Sequence, residues 1–195
     1  MAIGNRKSPH TTPGFTLAEI MIVLVMVGVL MAMAAPRIDF TRYRVDAAAQ
    51  NLRSVLMQAQ RIALLRQFDV VVSIDTAHQA LKTAEDVNND GIIQPAEHKR
   101  TYTLNDGMSF AVPPTGLDSA VTSAIVGSQL GHMDGLPTIT FHRDGAATSD
   151  LQLYLATPDG PNRAYRALRL IRGTGRTDWY RYDTGAGTWK LGGLQ

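Results

Sequence analysis

The sequence predicts an α+β protein in which a long N-terminal helix is followed by an antiparallel β-sheet head. Three observations support this fold class. An apolar run, FTLAEIMIVLVMVGVLMAMAA, occupies residues 15–35 and is long enough to form a transmembrane helix. An amphipathic pattern with helical spacing occupies residues 36–67, and beyond it apolar residues alternate with a period of two. The helix is therefore expected to be membrane-spanning in its first half and amphipathic in its second.

Composition restricts the function classes. The 195 residues suit one domain plus an anchor, and the absence of cysteine excludes disulfides and thiolate chemistry. The formal net charge of +2 is too small to argue for a nucleic-acid partner by itself. Arg6 and Lys7 precede the apolar run, which predicts a cytoplasmic leader and an exported C-terminal part.

Glu19 is the only charged residue in the apolar run. A carboxylate inside a membrane costs about 2.5–3.5 kcal/mol on insertion scales, so an acid in such a place is a functional candidate. Gly14, at the junction between leader and run, is followed by Phe15, Thr16 and Leu17.

The segment Gly14-Phe15-Thr16-Leu17, with Glu19 two residues further on, resembles the class III signal of type IV pilins and type II secretion pseudopilins. The resemblance implies that a prepilin peptidase removes residues 1–14 and N-methylates the new amine of Phe15. It also implies that Glu19 pairs with the terminal amine of a neighbouring subunit during filament assembly. The chain would then be the substrate of an enzyme, and not an enzyme itself.

Other interpretations of the N-terminus stay open. A secretory signal peptide has a basic start, an apolar region and a small-residue cleavage site, here Ala32-Met33-Ala34. A plain membrane anchor is the second alternative. Glu19 also lies close enough to the start of the run to reach the lipid headgroups without pairing.

The segment 39–66 carries an apolar stripe at three- and four-residue steps, typical of a helix that lays one face on a globular domain. Pro36, just before it, predicts a kink or break. The stripe consists of Val45, Ala48, Leu52, Val55, Leu56, Ala59, Ile62 and Ala63.

The remainder, residues 68–195, predicts a β-rich periplasmic head. Glycine- and proline-containing turn signals separate the candidate strands. Residues 113–137 show no clean period and predict a long, mobile loop. The candidate strands are 68–74, 99–104, 109–112, 138–143, 151–156, 165–171 and 177–182.

Within this head, a strand that follows the long helix and the element Gly173-Thr174-Gly175-Arg176 resemble the GspH/FimT branch of pseudopilins and minor pilins. So does the apolar strand 139–143 that runs into Asp144-Gly145. The resemblance implies a structural minor pseudopilin of a type II secretion system, held in the bacterial inner membrane and then assembled with other pilin-like subunits into a periplasmic filament. The alternative that it implies is a minor type IV pilin involved in pilus assembly or in DNA binding and uptake.

Residues 86–97 match the twelve-residue calcium-loop pattern. Oxygen ligands would come from the Asp86, Asn88, Asp90 and Glu97 side chains and the Ile92 carbonyl, with Gly91 at the sharp turn. The flanking segments read as strands instead of the two helices of an EF-hand. Two interpretations therefore stay open, a calcium site and an Asn/Asp/Gly-rich hairpin connection that needs no ion.

The C-terminal segment combines cations with aromatic residues, a composition that can hold nucleic acid by phosphate contact and base stacking. The resemblance places Arg176 and Arg181 in such a role, although Asp178 stands where a second basic residue is wanted. The alternative is that the arginines occupy the solvent face of strands while Leu168, Leu170 and the aromatics pack inward.

No nucleophile motif or histidine ligand spacing occurs elsewhere in the chain. We therefore expect a structural protein without catalytic residues and without a required cofactor, calcium excepted. The expected partners are other pilin-like subunits, the prepilin peptidase and inner-membrane lipid.

Overall fold

A computed structural model of the chain describes residues 14–34, 40–105, 107–158 and 163–192. The chain divides into two compact units, Met1–Asp39 and Phe40–Gln195. The first contains helix α1, Leu17–Ala34, and the second begins with helix α2, Phe40–Arg66. The leader residues before Gly14 and the expected kink at Pro36 lie outside the described residues.

The second unit is rich in short strands. Those in the described ranges are β1 (Asp69–Asp75), β2 (Ala80–Asp86), β3 (Lys99–Thr103), β4 (Ser109–Phe110), β5 (Ile125–Gly127), β6 (Gly131–Met133), β7 (Leu136–Phe141), β8 (Leu151–Ala156), β9 (Tyr165–Leu170), β10 (Thr177–Asp183) and β11 (Thr188–Leu191).

These strands form two antiparallel sheets. The first has the order β3-β2-β1-β7-β6, and the second has the order β11-β10-β9-β8-β4. Strand β5 also pairs with β8, so β4 and β5 share the edge of β8 that β9 leaves free. The predicted α+β class with antiparallel strands is confirmed, but the head has two sheets where the sequence predicted one.

Helix α2 packs against strands of both sheets, namely β1 and β7 of the first and β8, β9 and β10 of the second. Its buried face comprises Val45, Ala49, Leu52, Val55, Leu56, Ala59 and Ala63. Spacings of three and four residues place these side chains on one side of the helix. Leu56 is 1% exposed, and its replacement by alanine would cost about 2–5 kcal/mol because the cavity collapses only in part.

Four of the described strands of the head were not among those predicted, namely β2, β5, β6 and β11. Residues 113–137 contain β5 and β6, although their sequence shows no alternation, because each strand has only three residues. Strand β2 was missed because its sequence, ALKTAED, places three charged residues among few apolar ones. It exists because its residues pair along the full length of β1, from Asp69↔Asp86 to Asp75↔Ala80.

Helix α1 begins two residues later than the predicted 15–35 helix and is described as far as Ala34. Among the residues that the structure describes, no helix combines the length and the hydropathy needed to cross a membrane. The predicted transmembrane helix is therefore not supported.

Candidate assembly, calcium and anion-binding sites

The predicted processing junction lies in exposed chain just before α1. Residues 14–16 have no regular secondary structure, and Phe15 is 79% exposed. A Cβ added at Gly14 would meet no atom within 4 Å. The Gly14–Phe15 peptide bond is therefore open to a peptidase, while cleavage there and methylation of Phe15 stay predictions.

Glu19 has a local structural role that the sequence reasoning missed. Its backbone N–H donates to the Thr16 hydroxyl at 3.2 Å and to the Thr16 carbonyl oxygen at 3.1 Å, so Thr16 caps α1. The signal was present in the spacing Thr-x-x-Glu, which is typical of a capping box. A carboxylate in the first turn also interacts favourably with the helix dipole. The assembly role of Glu19 stays a prediction.

The apolar side chains of α1 are uncovered within its own unit. All of its residues whose burial is described are exposed, from Leu17 at 78% to Met33 at 69%. An apolar surface of this extent marks a site of contact with protein or lipid. The helix is therefore a continuous uncovered apolar surface within its unit.

The calcium-like loop connects β2 to β3, so its flanks are strands, as the sequence indicated. Its acidic side chains accept hydrogen bonds from backbone amides. Asp86 accepts from the N–H of Asp90 at 3.2 Å and of Gly91 at 2.8 Å, and Glu97 accepts from Val87 at 2.9 Å and Gln94 at 2.7 Å. Gly91, with φ of 79°, provides the predicted sharp turn.

Asp90 holds the middle of this loop together by hydrogen bonds. Its carboxylate accepts from the Ile92 N–H at 2.8 Å and from the side-chain amides of Asn88 at 2.8 Å and Gln94 at 2.7 Å. Within the described ranges, no three acidic or histidine side chains converge in an arrangement that would hold a metal ion. Calcium binding at the Ile92 carbonyl and the four side chains stays a prediction.

The two arginines predicted to bind nucleic acid lie in different surroundings. Arg176 is 64% exposed and forms a two-point ion pair with Asp178, at 3.1 Å from Nε and 2.8 Å from the terminal nitrogen. This contact raises the pKa of Arg176. Asp178 therefore neutralises the arginine of the Gly-Arg element.

Arg181, in β10, lies in a row of three cations. Arg166 of β9 and Lys190 of β11 are its direct cross-strand partners. Like charges placed directly opposite one another destabilise a sheet. Lys190 is compensated by Asp183 at 2.6 Å, and that contact lowers the pKa of Asp183.

Arg166 corrects the expectation that the C-terminal arginines face solvent. Its side chain is 2% exposed and forms an ion pair with Asp46 of α2. Burial lowers the pKa of Arg166, although the Asp46 carboxylate opposes this effect. Leu168 and Leu170 point to the same side of β9 and are buried, as predicted.

The C-terminal aromatic residues pack on one another. Tyr182 lies between Tyr165, at 6.2 Å between ring centroids, and Trp189, at 5.0 Å. Trp189 also contacts the buried Tyr154 at 5.7 Å. The rings therefore contact one another, and they do not form a row of free faces on which nucleic-acid bases could stack. Trp179 is buried in the hydrophobic core.

A buried carboxylate at the β1–β2 turn was not singled out by the sequence. Asp75 is 3% exposed, and it accepts hydrogen bonds from the Lys82 ammonium at 2.6 Å and from the His78 backbone and ring at 2.9 Å each. The pKa of Asp75 is held well below its usual range. The hydrogen bond from Lys82 has the largest effect, and the hydrogen bond from the His78 backbone N–H has the next largest. The arrangement closes a hairpin.

The chain is similar in structure to a minor pseudopilin. Two solved structures of EpsH, a minor pseudopilin of the type II secretion system of Vibrio cholerae, resemble it at 15% identity. One has a TM-score of 0.41 and covers 75% of this chain and 94% of its own; the other has a TM-score of 0.39 and covers 76% and 92%. No protein-family model and no curated protein matches the sequence.

Proposed function

We propose that this protein is a structural minor pseudopilin of a type II secretion system. It assembles with other pilin-like subunits into a periplasmic filament after cleavage between Gly14 and Phe15. The observation that carries the proposal is the sequence Gly14-Phe15-Thr16-Leu17-Ala18-Glu19 leading directly into an exposed apolar helix. A helix of this kind needs cover, and the helices of neighbouring subunits provide it in a filament.

Glu19 gives that packing its register. Cleavage creates a charged amine at Phe15 in apolar surroundings, and a carboxylate from a neighbouring α1 compensates it. Removing one partner of a buried pair costs several kcal/mol, because the other charge remains without compensation. Subunits stacked out of register leave both charges unpaired, so the pair selects one stacking distance.

The proposal includes attachment to the inner membrane before assembly, with the head in the periplasm. Its support is the pair Arg6 and Lys7 ahead of the apolar run, since basic residues are retained on the cytoplasmic side. Fractionation of cells, with protease access to the head in spheroplasts, tests this arrangement.

The deciding experiment is mass spectrometry of the mature chain from its native membrane. A chain that begins with N-methylated Phe15 supports processing as a pilin-like subunit. A chain that begins after Ala34 or Ala35 shows removal of a secretory signal and contradicts the proposal. Glu19→Gln keeps the size of the side chain and removes its charge, so it should preserve cleavage while abolishing co-isolation with other pilin-like subunits.

A second function, that of a minor type IV pilin that binds DNA, is favoured by one observation. Arg181 is exposed and lies between Arg166 and Lys190 on the neighbouring strands. Those two cations have carboxylate partners in Asp46 and Asp183, so Arg181 is the cation of this row that an anionic ligand would compensate. Arg181→Ala should weaken salt-dependent binding of a double-stranded oligonucleotide, whereas Arg176→Ala, which removes an already neutralised cation, should change it less. Binding that is absent at low salt, or equal in the two variants, contradicts this function.

A further inference from the structure

Strand β3 is an open edge of the first sheet, since it pairs with β2 alone among the described strands. The β2–β3 ladder includes a bond from the Glu85 N–H to the His98 carbonyl at 3.0 Å and one from the Leu104 N–H to the Gln79 carbonyl at 2.8 Å. Backbone groups alternate in direction along an antiparallel strand. The N–H and C=O groups of Lys99, Thr101 and Thr103 therefore point away from β2.

A groove of about 610 Å³ runs between this edge and the flank of α2. Its apolar base includes Leu52, Val55 and Leu104, which are buried or half-buried. Its helical wall carries Asn51, Ser54 and Gln58, all exposed. The Gln58 side chain accepts a 3.4 Å hydrogen bond from the Tyr102 hydroxyl.

The geometry selects an extended ligand. A polypeptide that adds to β3 would bond to the outward backbone groups, and alternate side chains would then enter the groove. Tyr102 is opposite the buried Leu81, so this face of the sheet is the one that α2 covers. Polar groups on the helical wall match a ligand whose side chains are short and in part polar.

The charges select an acidic ligand. Arg44 is the one charged side chain that lines the groove, and Lys99 and Arg100 lie on the exposed edge strand. No carboxylate partner for these three cations occurs among the ion pairs in the described residues. Charged side chains on an open edge discourage pairing with apolar or like-charged strands. The same charges favour a strand that carries carboxylates.

We propose that the β3 edge and the groove beside α2 form a docking site for an extended, acidic segment of a neighbouring protein, which adds to the first sheet as a sixth strand. The inference rests on the proposed filament role, because assembly is what brings such a neighbour into contact. The proposed docking site lies on the head. It does not involve the packing of α1 or the pairing of Glu19.

Hydrogen exchange of the full chain in detergent micelles tests the site directly. The probe is a synthetic peptide of alternating valine and glutamate, compared with its valine–lysine counterpart. The acidic peptide should slow exchange of the Lys99, Thr101 and Thr103 amides about tenfold or more, and the basic peptide should not. Unchanged exchange at saturating acidic peptide overturns the proposal.

Two substitutions sharpen the test. Thr101→Pro removes an outward N–H from an edge strand, where proline is tolerated, and should abolish the protection. Thr101→Val keeps that N–H and should retain the protection. Arg44→Glu should weaken binding of the acidic peptide about tenfold, equivalent to about 1.4 kcal/mol.

Other occupants give different results. Protection by a single-stranded oligonucleotide and not by the acidic peptide would make this surface a nucleic-acid interface. Protection that rises with protein concentration alone would mean that a second copy of this chain occupies the site. Either result overturns the proposal.

The mature N-terminus separates this inference from the proposed function. Correct processing at Gly14 without peptide protection overturns the docking site alone, whereas an unprocessed chain overturns the pilin-like function and leaves the exchange result standing.

Discussion

Gln60 of α2 donates a hydrogen bond from its side-chain amide to the carbonyl oxygen of Gly145, at 2.8 Å, across 85 residues of sequence. The same nitrogen lies 2.7 Å from the carbonyl oxygen of Thr174. The two glycine turns that the sequence analysis noted separately, one after β7 and one after β9, therefore meet on one helical side chain. The contact joins α2 to both sheets at one end of the head.

Gly175 is predicted to be irreplaceable at this junction. Its φ of 62° is unfavourable for other residues, and an added Cβ would lie 2.2 Å from the Gly145 carbonyl oxygen and 2.4 Å from the Gln60 amide nitrogen. Gly175→Ala should lower the free energy of unfolding by about 2 kcal/mol or more. Urea denaturation measures this difference.

Gly173→Ala is the matched control, because a Cβ there would meet no atom within 4 Å and its φ is not in the left-handed region. It should leave the urea midpoint almost unchanged. Equal midpoints for the two alanine variants would show that the turn relaxes and that the contact with Gln60 is dispensable.

Asp46 is predicted to be essential to the stability of the head. Asp46→Asn leaves the guanidinium of Arg166, 2% exposed, without its carboxylate. Loss of one partner from a buried pair should cost about 3 kcal/mol, whereas the double substitution Asp46→Leu with Arg166→Met should recover most of it. Thermal denaturation of both variants checks the prediction.

Asp178→Asn supplies the comparison for that pair. This substitution removes the carboxylate partner of Arg176. Arg176 is 64% exposed, so solvent screens its charge when the partner is lost. The melting temperature of Asp178→Asn should therefore stay near that of the wild type. A loss as large as that of Asp46→Asn would mean that burial does not decide the strength of these pairs.

Asp75 predicts a loss of stability in acid. Its pKa is lowered in the folded state by Lys82 and His78, while the unfolded chain takes up the proton near pH 4. The unfolded state thus binds more protons as the pH falls below about 4, and the stabilisation by Asp75, complete at higher pH, is progressively lost. Asp75→Asn should flatten this decline in urea midpoints between pH 6 and pH 3.

Asp134→Asn controls for a general effect of removing one carboxylate. Asp134 is exposed in a turn at φ of 53°, a conformation that asparagine tolerates well. Its acid profile should follow that of the wild type. If the urea midpoint of Asp75→Asn falls with pH as steeply as that of the wild type, other carboxylates cause the acid sensitivity.

Calcium should raise the melting temperature of the protein if residues 86–97 bind it, because a ligand that binds only the folded state stabilises that state. Glu97→Gln removes the carboxylate at the last position of the loop, where a bidentate ligand is needed. We expect calcium at millimolar concentration to stabilise the wild type and not this variant. Calorimetric scans with calcium and with chelator measure the difference.

Glu85→Gln is the control for that substitution, since Glu85 lies outside the loop and pairs with Arg66 at 3.0 Å. It should keep the full response to calcium. If calcium does not change the melting temperature of the wild type, the loop is a hairpin connection that needs no ion. Hydrogen bonds from backbone amides to Asp86, Asp90 and Glu97 would then hold it closed.

Several features were determined by the sequence alone, because their causes are local. The stripe from Val45 to Ala63 predicted the buried face of α2, since helical spacing by itself decides which side chains share a face. Alternation and glycine turns located β1, β8, β9 and β10 to within one or two residues. The Gly14–Glu19 motif is likewise a set of adjacent residues, and the assembly role that its resemblance implies stays a prediction.

Only the tertiary structure decided which strands pair and which charges are buried. The existence of β2 depends on β1, and the short β5 depends on β8. Arg166 faces the core because Asp46, 120 residues earlier, is there to pair with it, and the groove beside β3 exists because α2 passes over an unpaired sheet edge. Pairing and burial join residues distant in sequence, so no local pattern contains them.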